Sequence, residues 1–190
     1  QSRVAFIQQS CTKSLKKRLW QRVVQAKITN QATCLKLSGG AGKRLVSLAR
    51  QVKSGDPNNV EAQAARYYWK QLMGSNFRRG DNDLTNAALN YGYAVVRAYV
   101  ARSQVAYGLM PTFGLHHASE LNAFNLTDDL IEVLRPFVDN HVFEMKSYVS
   151  LDEGDNLSIE IRRQLAGAGS WLCALEGETY TLASVCDKMA

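Results

Sequence analysis

Proline, paired cysteines and long apolar runs are all scarce in this 190-residue sequence. Because there are only three prolines, long stretches are free to form helices. No apolar run approaches the roughly 20 residues that a membrane-spanning helix needs, so we expect no membrane partner. The four cysteines form no CxxC pair, and a core of this size needs no disulfide staples. We therefore expect reduced thiols in a cytoplasmic protein.

The start of the sequence lacks an initiator methionine and the charged-then-apolar pattern of a secretory signal, so we expect a fragment of a longer protein. Several enzyme motifs are absent as well. There is no HExxH, no GxSxG, no P-loop glycine pattern and no pair of ExxH motifs. The kind of enzyme site that remains possible is a hydrolase site built from acidic residues and histidine.

The net charge of +6 and the pI of about 9.2 mildly favour an anionic partner such as nucleic acid. Basic residues surround an apolar stripe near the start of the sequence, and Lys16 and Lys17 are among them. Arg78 and Arg79 form a second basic pair in a polar, turn-rich stretch. These residues suit phosphate contacts, but a solvated face that keeps the protein soluble explains them equally well.

Apolar spacing predicts an all-α fold. Leu15, Leu19, Val23 and Ala26 recur at three- and four-residue steps, which is typical of an amphipathic helix. Similar patterns predict helices over residues 45–52, 61–73, 83–107 and 127–142, and two shorter helices after residue 158 that are separated by Gly177. Asn58 and Asn59 are suited to cap the helix at 61–73. We predict one multi-helix bundle over residues 1–190.

Adjacent histidines and a pair of carboxylates fall close together in the sequence. His116 and His117 precede Asp129 and Glu132, which are i,i+3 neighbours on one face of the helix at 127–142. Oxygen ligands with one imidazole suit Mg²⁺ or Mn²⁺. The alternative is that Asp128 and Asp129 serve the first turn of a helix, where the helix dipole stabilises acids.

Glu61 is a third candidate ligand. Its helix face also carries Ala64, Ala65 and Tyr68, so a second helix can approach it closely. A carboxylate at the mouth of such a groove suits a metal ligand. It suits an exposed acid in the first turn of a helix equally well.

Three motifs resemble the Cas1 family, the integrases that insert spacers into CRISPR arrays. They are EAQAARYYW at residues 61–69, NAALNYGY at 86–93, and FGLHH at 113–117 followed by NAFNLTDDLIE at 122–132 and RPFVD at 135–139. They occur in the family's order over roughly residues 15–150. Within the family, the motifs most resemble those of Cas1 proteins from type II systems.

The resemblance implies site residues by position. Glu61, His117 and Glu132 would be the catalytic metal ligands for Mg²⁺ or Mn²⁺, with Asp129 as a further acidic ligand and His116 as a competitor of His117. Tyr91 would position DNA, and Arg66 would contact a phosphate or pair with a carboxylate. Among the basic residues, Arg78, Arg79, Lys16 and Lys17 would hold DNA phosphates. Many family members have Asp at the position of Glu132. The predicted chemistry requires these side chains to converge in space, and not to be buried in permanent pairs with arginine.

The resemblance also implies an activity and partners. The family joins the 3′-hydroxyl of incoming DNA to a phosphodiester at the repeat boundary, working as a Cas1 homodimer with Cas2 on double-stranded DNA. It implies an N-terminal β domain that is absent from this chain. The alternatives are a non-catalytic DNA-binding helical scaffold and an unrelated interaction module.

Overall fold

A computed structural model describes residues 2–146, 152–153, 156–175 and 177–190. The helices are α1 (Ser2–Gln9), α2 (Lys13–Leu37), α3 (Lys43–Gln51), α4 (Val60–Met73), α5 (Leu84–Ala106), α6 (Asn125–Met145), α7 (Ile159–Ala166) and α8 (Leu182–Met189). The strands are β1 (Asp152–Glu153), β2 (Asn156–Leu157), β3 (Leu172–Leu175) and β4 (Glu178–Thr181). Because the strands in the described ranges form only two small antiparallel hairpins, β1–β2 and β3–β4, the all-α prediction is confirmed.

The two longest predicted helices form where the periodicity placed them. The first amphipathic stripe lies on α2, which ends just before Gly39, a glycine in the left-handed conformation with φ 82°. Helix α5 begins after Asp83, whose carboxylate accepts the amide of Asn86 and caps the helix. Helix α6 begins at Asn125, two residues before the expected start.

The prediction for the region after residue 158 was wrong in part. Helix α7 forms there, with Ser158 as its cap, and α8 ends the chain. Between them, residues 172–181 form the β3–β4 hairpin, with Leu172 paired to Thr181 at its open end. Gly177 has a φ of 85° beside the hairpin turn, a conformation that favours a tight reversal over a helix-to-helix break.

Helix α6 joins two apolar clusters. One cluster is built from α2, α3 and α4, and the other from α5, α7, α8 and the inner side of α6. Helix α6 packs against both α2 and α5, and its Leu130 contacts both clusters. The carboxylates of α6 are therefore held at the junction of the two halves of the domain.

The four cysteine thiols are free, as expected. Burial raises the pKa of Cys34 and of Cys186 to about 12, so both remain thiols at neutral pH. Among the described residues, no helix combines the length and the apolar character needed to cross a bilayer.

Candidate active site

Glu61 sits in the first turn of α4, where its backbone is fixed by two side chains from the preceding loop. Asn59 adopts the left-handed conformation, with φ 49°, and accepts the amide of Ala62 at 3.3 Å. Asp56 accepts the amide of Glu61 at 3.0 Å. The predicted asparagine cap is therefore confirmed, and it aims the Glu61 side chain towards α2.

Lys27 of α2 bridges two of the predicted ligands. Its Nζ lies 2.5 Å from Glu61 Oε1 and also contacts Glu132 Oε2. The Lys27 side chain is 12% exposed. Burial alone would lower the pKa of Lys27, but the charges of Glu132 and Glu61 outweigh burial and raise it. Glu61 and Glu132 thus converge on one cationic position, from α4 and α6 respectively.

Glu132 has a second basic partner in the next turn of α6. Its Oε1 lies 2.8 Å from Arg135 Nη1. The Glu132 side chain is 7% exposed, so burial makes both ion pairs stronger than surface pairs while also raising the cost of desolvation.

Asp129 supports the loop that carries the histidines. One carboxylate oxygen accepts the amides of Leu115 and His116, at 2.5 and 3.0 Å. The other accepts the amide of His117 at 3.1 Å and contacts the His117 Nδ1 at 2.7 Å. The Asp129 side chain is completely buried. With both oxygens engaged, Asp129 supports the loop and the imidazole, and its place among the metal ligands stays a prediction.

The tautomer of His117 follows from these contacts. An ionised carboxylate only accepts hydrogen bonds, so the His117 Nδ1 is the donor to Asp129. In the neutral ring this leaves the lone pair on Nε2. A carboxylate behind a histidine is the usual support for an imidazole that binds a metal.

His116 has a different environment from His117. Its ring stacks on Trp20 of α2, with centroids 4.4 Å apart and an interplanar angle of 7°. His117 meets the same Trp20 edge-on at 6.2 Å. Because only His117 has a supporting carboxylate, the geometry favours His117 over His116 as a ligand.

The loop before α6 is closed by Asn125 and Gly114. The side-chain Nδ2 of Asn125 donates to the backbone carbonyls of Thr112, Ser119 and Asn122. Its side-chain oxygen accepts a hydrogen bond from the backbone amide of Ser119. A Cβ at Gly114 would overlap the His117 carbonyl oxygen and lie 3.0 Å from Asp129 Oδ2, so only glycine fits there.

A positively charged cavity of about 420 Å³ opens beside His117, and we call it the arginine cavity. The guanidinium groups of Arg79, Arg97 and Arg135 line it together with His117 and Asp128. Arg97 pairs with Asp128 through contacts of 2.5 and 3.1 Å. Burial alone would raise the pKa of Asp128, but hydrogen bonds from Arg97 and Asn122 outweigh burial and lower it. Three guanidiniums and one carboxylate leave net positive charge, which suits a phosphate.

Tyr93, which lines the arginine cavity, is hydrogen-bonded to the buried carboxyl group of Asp139. Arg79 and Arg135 lie over the ring of Tyr93, at 5.3 and 5.0 Å from its centroid. The Tyr93 hydroxyl donates to Asp139, and the Tyr68 hydroxyl donates to the same carboxyl group at 2.9 Å. Burial raises the pKa of Asp139 to about 7, although the tyrosine hydrogen bonds partly oppose this.

The remaining predicted DNA-binding residues are not all gathered at this cavity. Arg66 and Arg78 are exposed, and Tyr91 is half-buried against the second apolar cluster. Lys16 and Lys17 lie one turn before Trp20 on α2, and the stem of Lys17 lies beside Gly55, in the loop between α3 and α4. Of the predicted set, only Arg79 lines the cavity.

Several residues at the site were not predicted. Lys27, Trp20, Tyr93, Arg97 and Arg135 are all missing from the sequence-based set. The signal for Lys27 was available, because it falls within the buried stripe of α2, where a lysine is rare unless it is paired. Within the described ranges, no three His, Cys, Asp or Glu side chains are arranged to hold a metal. The ligand set Glu61, His117 and Glu132 stays a prediction.

The fold is shared with solved structures of known proteins. A casposase bound to its integration product superposes with a TM-score of 0.78 at 20% identity, over 98% of this chain and 65% of that one. A Cas1 protein from Thermotoga maritima gives a TM-score of 0.76 at 15% identity, over 93% of this chain and 64% of that one. At these identities the likeness concerns the fold, which is that of the helical part of Cas1 and casposase structures.

Sequence comparison is more specific. Residues 1–159 match the family model described as CRISPR associated protein Cas1, and the chain belongs to the Cas1 family. A CRISPR-associated endonuclease Cas1 from Neisseria meningitidis serogroup C (strain 8013) is 43% identical over 191 residues, covering 100% of this chain. A second relative of the same description, from Pyrobaculum aerophilum, is 33% identical over 162 residues and 75% of this chain. The resemblance drawn from the motifs is confirmed.

The chain spans only part of these relatives. It matches 62% of the length of the Neisseria protein and 54% of that of the Pyrobaculum protein.

Proposed function

We propose that this protein is a divalent-metal-dependent DNA endonuclease and integrase of CRISPR adaptation. In this reaction a 3′-hydroxyl of spacer DNA attacks a phosphodiester of the array. One observation carries the proposal beyond family membership: Glu61 and Glu132 converge on a single cationic position, and the arginine cavity with His117 lies beside Arg135, the partner of Glu132.

The donor atoms suit Mg²⁺ or Mn²⁺. Glu61 and Glu132 offer hard carboxylate oxygens from two helices, and His117 offers its Nε2, since Asp129 holds its Nδ1. Such a set favours Mg²⁺, or Mn²⁺ where the imidazole takes part. A bound ion would stabilise the charge that develops on the scissile phosphate. Lys27 supplies the positive charge at this position in the structure and has to move when an ion binds.

The other residues of the site position DNA and ligands. Asp129 fixes the ring of His117 and keeps its Nε2 directed outward. In the proposed reaction, Arg79, Arg97 and Arg135 hold a phosphate of the bound strand and keep it in line for attack. No described serine or cysteine is required as a nucleophile, since the attacking group belongs to the DNA.

The partners follow from the same proposal. They are double-stranded DNA, as prespacer and as CRISPR repeat, a second copy of Cas1, and Cas2, in the cytoplasm. The structure contributes the positively charged cavity, whose affinity for DNA would depend strongly on salt and little on sequence.

A second function has its own support. Glu61 and Glu132 already have basic partners, so the acids also fit a non-catalytic DNA-binding scaffold held together by ion pairs. The two functions differ in whether DNA processing needs these carboxylates at all.

Strand transfer by the purified protein distinguishes the two functions. We expect Glu61→Ala and His117→Ala each to abolish Mn²⁺-dependent nicking and transfer of a labelled DNA substrate, with DNA binding retained. Glu160→Gln, which removes an exposed acid from α7, is the matched control. Full activity in either alanine variant would refute the metal-dependent mechanism.

A further inference from the structure

Lys27 holds the place of a cation between two carboxylates. Its ammonium nitrogen contacts Glu61 Oε1 and Glu132 Oε2 at once, from a side chain of α2 that is 12% exposed. Two carboxylates this close repel each other unless a positive charge separates them. In the structure Lys27 supplies that charge, so any metal that binds there must compete with it.

A small inner cavity beside Lys27 offers its ammonium a second position. The cavity has a volume of about 60 Å³, and Lys27, Gln31 and Asp139 all line it. Gln31 is 3% exposed, and its Oε1 is buried without a hydrogen-bond partner among the described residues. A buried acceptor without a hydrogen-bond donor is costly, so a donor that reaches Gln31 Oε1 would be stabilised there.

Helix geometry brings this acceptor within reach of Lys27. Gln31 follows Lys27 by four residues on α2, so the two side chains occupy the same helix face. The flexible stem of lysine can move its ammonium without moving the helix. Arg79 and Arg135 also line the cavity, and their charges disfavour the second position as long as the carboxylates are available to Lys27.

We propose that Lys27 is a displaceable internal cation, which leaves Glu61 and Glu132 when a divalent metal binds and moves to Gln31 and Asp139 in the inner cavity. The inference rests on the proposed metal site. In this inference Lys27 neutralises Glu61 and Glu132 before the metal binds. Gln31 accepts a hydrogen bond from the Lys27 ammonium afterwards.

Isothermal titration with MnCl₂ tests this as a double-mutant cycle on the purified protein. We expect Lys27→Met to bind Mn²⁺ more tightly, on the order of tenfold, because no ion pairs have to be broken. We expect Gln31→Leu to weaken Mn²⁺ binding when Lys27 is present, and to have no effect when combined with Lys27→Met. Lys36→Met, which removes an exposed charge from the same helix, is the control and should leave affinity unchanged.

The outcomes separate this inference from the proposed function. If Glu61→Ala abolishes Mn²⁺ binding, the metal site is supported. If Lys27→Met then binds Mn²⁺ no more tightly than the unmodified protein, the proposed role of Lys27 is wrong. If Gln31→Leu changes Mn²⁺ affinity equally with and without Lys27, the ammonium of Lys27 does not move to Gln31. Absence of Mn²⁺ binding in every variant would contradict the metal site itself. If Lys27→Met does not fold, Lys27→Gln replaces it, since its amide still donates to a carboxylate.

Discussion

The His117 Nδ1 lies 2.7 Å from Asp129 Oδ1, and the two side chains differ sharply in exposure. Asp129 is completely buried, whereas 46% of the His117 side chain is exposed. The carboxylate therefore acts from inside the protein on an imidazole that faces outward. The structure thus shows Asp129 supporting His117, a role that the sequence motifs did not indicate.

Replacing Asp129 with Asn tests the supporting role. An amide that keeps its oxygen on His117 turns an NH₂ group towards the amides of Leu115 and His116, which are donors themselves. We expect Mn²⁺-dependent DNA cleavage to fall by roughly 10- to 100-fold, as is typical when the support of a metal-binding histidine is lost. Cleavage assays over a range of MnCl₂ concentrations measure the loss. Activity equal to that of the unmodified protein would show that Asp129 has no part in positioning His117.

Arg97 tests whether the arginine cavity holds a phosphate. We expect Arg97→Gln to weaken binding to all DNA sequences alike and to reduce the slope of log affinity against log salt by about 1. Fluorescence anisotropy at several NaCl concentrations gives both quantities. Arg162→Gln removes an exposed charge from α7 and should leave the slope as it is. An unchanged slope in Arg97→Gln would place the phosphate elsewhere.

Gly114 tests the closed form of the histidine loop. Gly114→Ala places a methyl group against the His117 carbonyl oxygen and Asp129 Oδ2, so the loop has to open. We expect DNA cleavage to fall about tenfold or more, because small displacements of catalytic groups are costly. Far-UV circular dichroism should be unaltered, since the core packing of α5 and α6 does not involve this residue. Normal cleavage by Gly114→Ala would mean that the loop need not stay closed.

Asp139 gives the protein a pH-dependent stability. Its folded-state pKa of about 7 lies above its usual value of 3.8. The native state therefore holds a proton that the unfolded state has lost between these values, and this contribution to stability falls as pH rises from about 4 to about 7. We expect the free energy of unfolding, relative to that of Asp139→Asn, to decrease across this range by on the order of 1 kcal/mol per pH unit.

Urea unfolding at pH 5, 6, 7 and 8 measures this difference. Asp81→Asn, at an exposed loop residue, is the control and should follow the unmodified protein at every pH. Parallel stability curves for Asp139→Asn and the unmodified protein would contradict the raised pKa of Asp139.

Local patterns were sufficient to predict most of the fold. Helix α2 follows from its apolar stripe and α4 from its asparagine cap, because both depend on residues close in sequence. The β3–β4 hairpin was missed because its strands are only four residues each, too short for alternation to stand out from a helical pattern.

The site was predicted less completely, for a physical reason. Motifs indicated Glu61 and Glu132 as ligands, but Lys27, which pairs with both, comes from another helix. Lys27 reaches Glu61 across 34 residues, and Arg97 reaches Asp128 across 31 residues. Such pairs are decided by how α2, α4, α5 and α6 pack, which periodicity along one helix does not specify.

Anomalous diffraction from crystals soaked in MnCl₂ tests the central claim most directly. The account predicts one strong manganese peak bonded to Glu61, Glu132 and His117 Nε2, at distances of roughly 2.0–2.3 Å, with the Lys27 ammonium no longer between the carboxylates. Crystals that show no manganese there, and Lys27 still paired with Glu61 and Glu132, would contradict it.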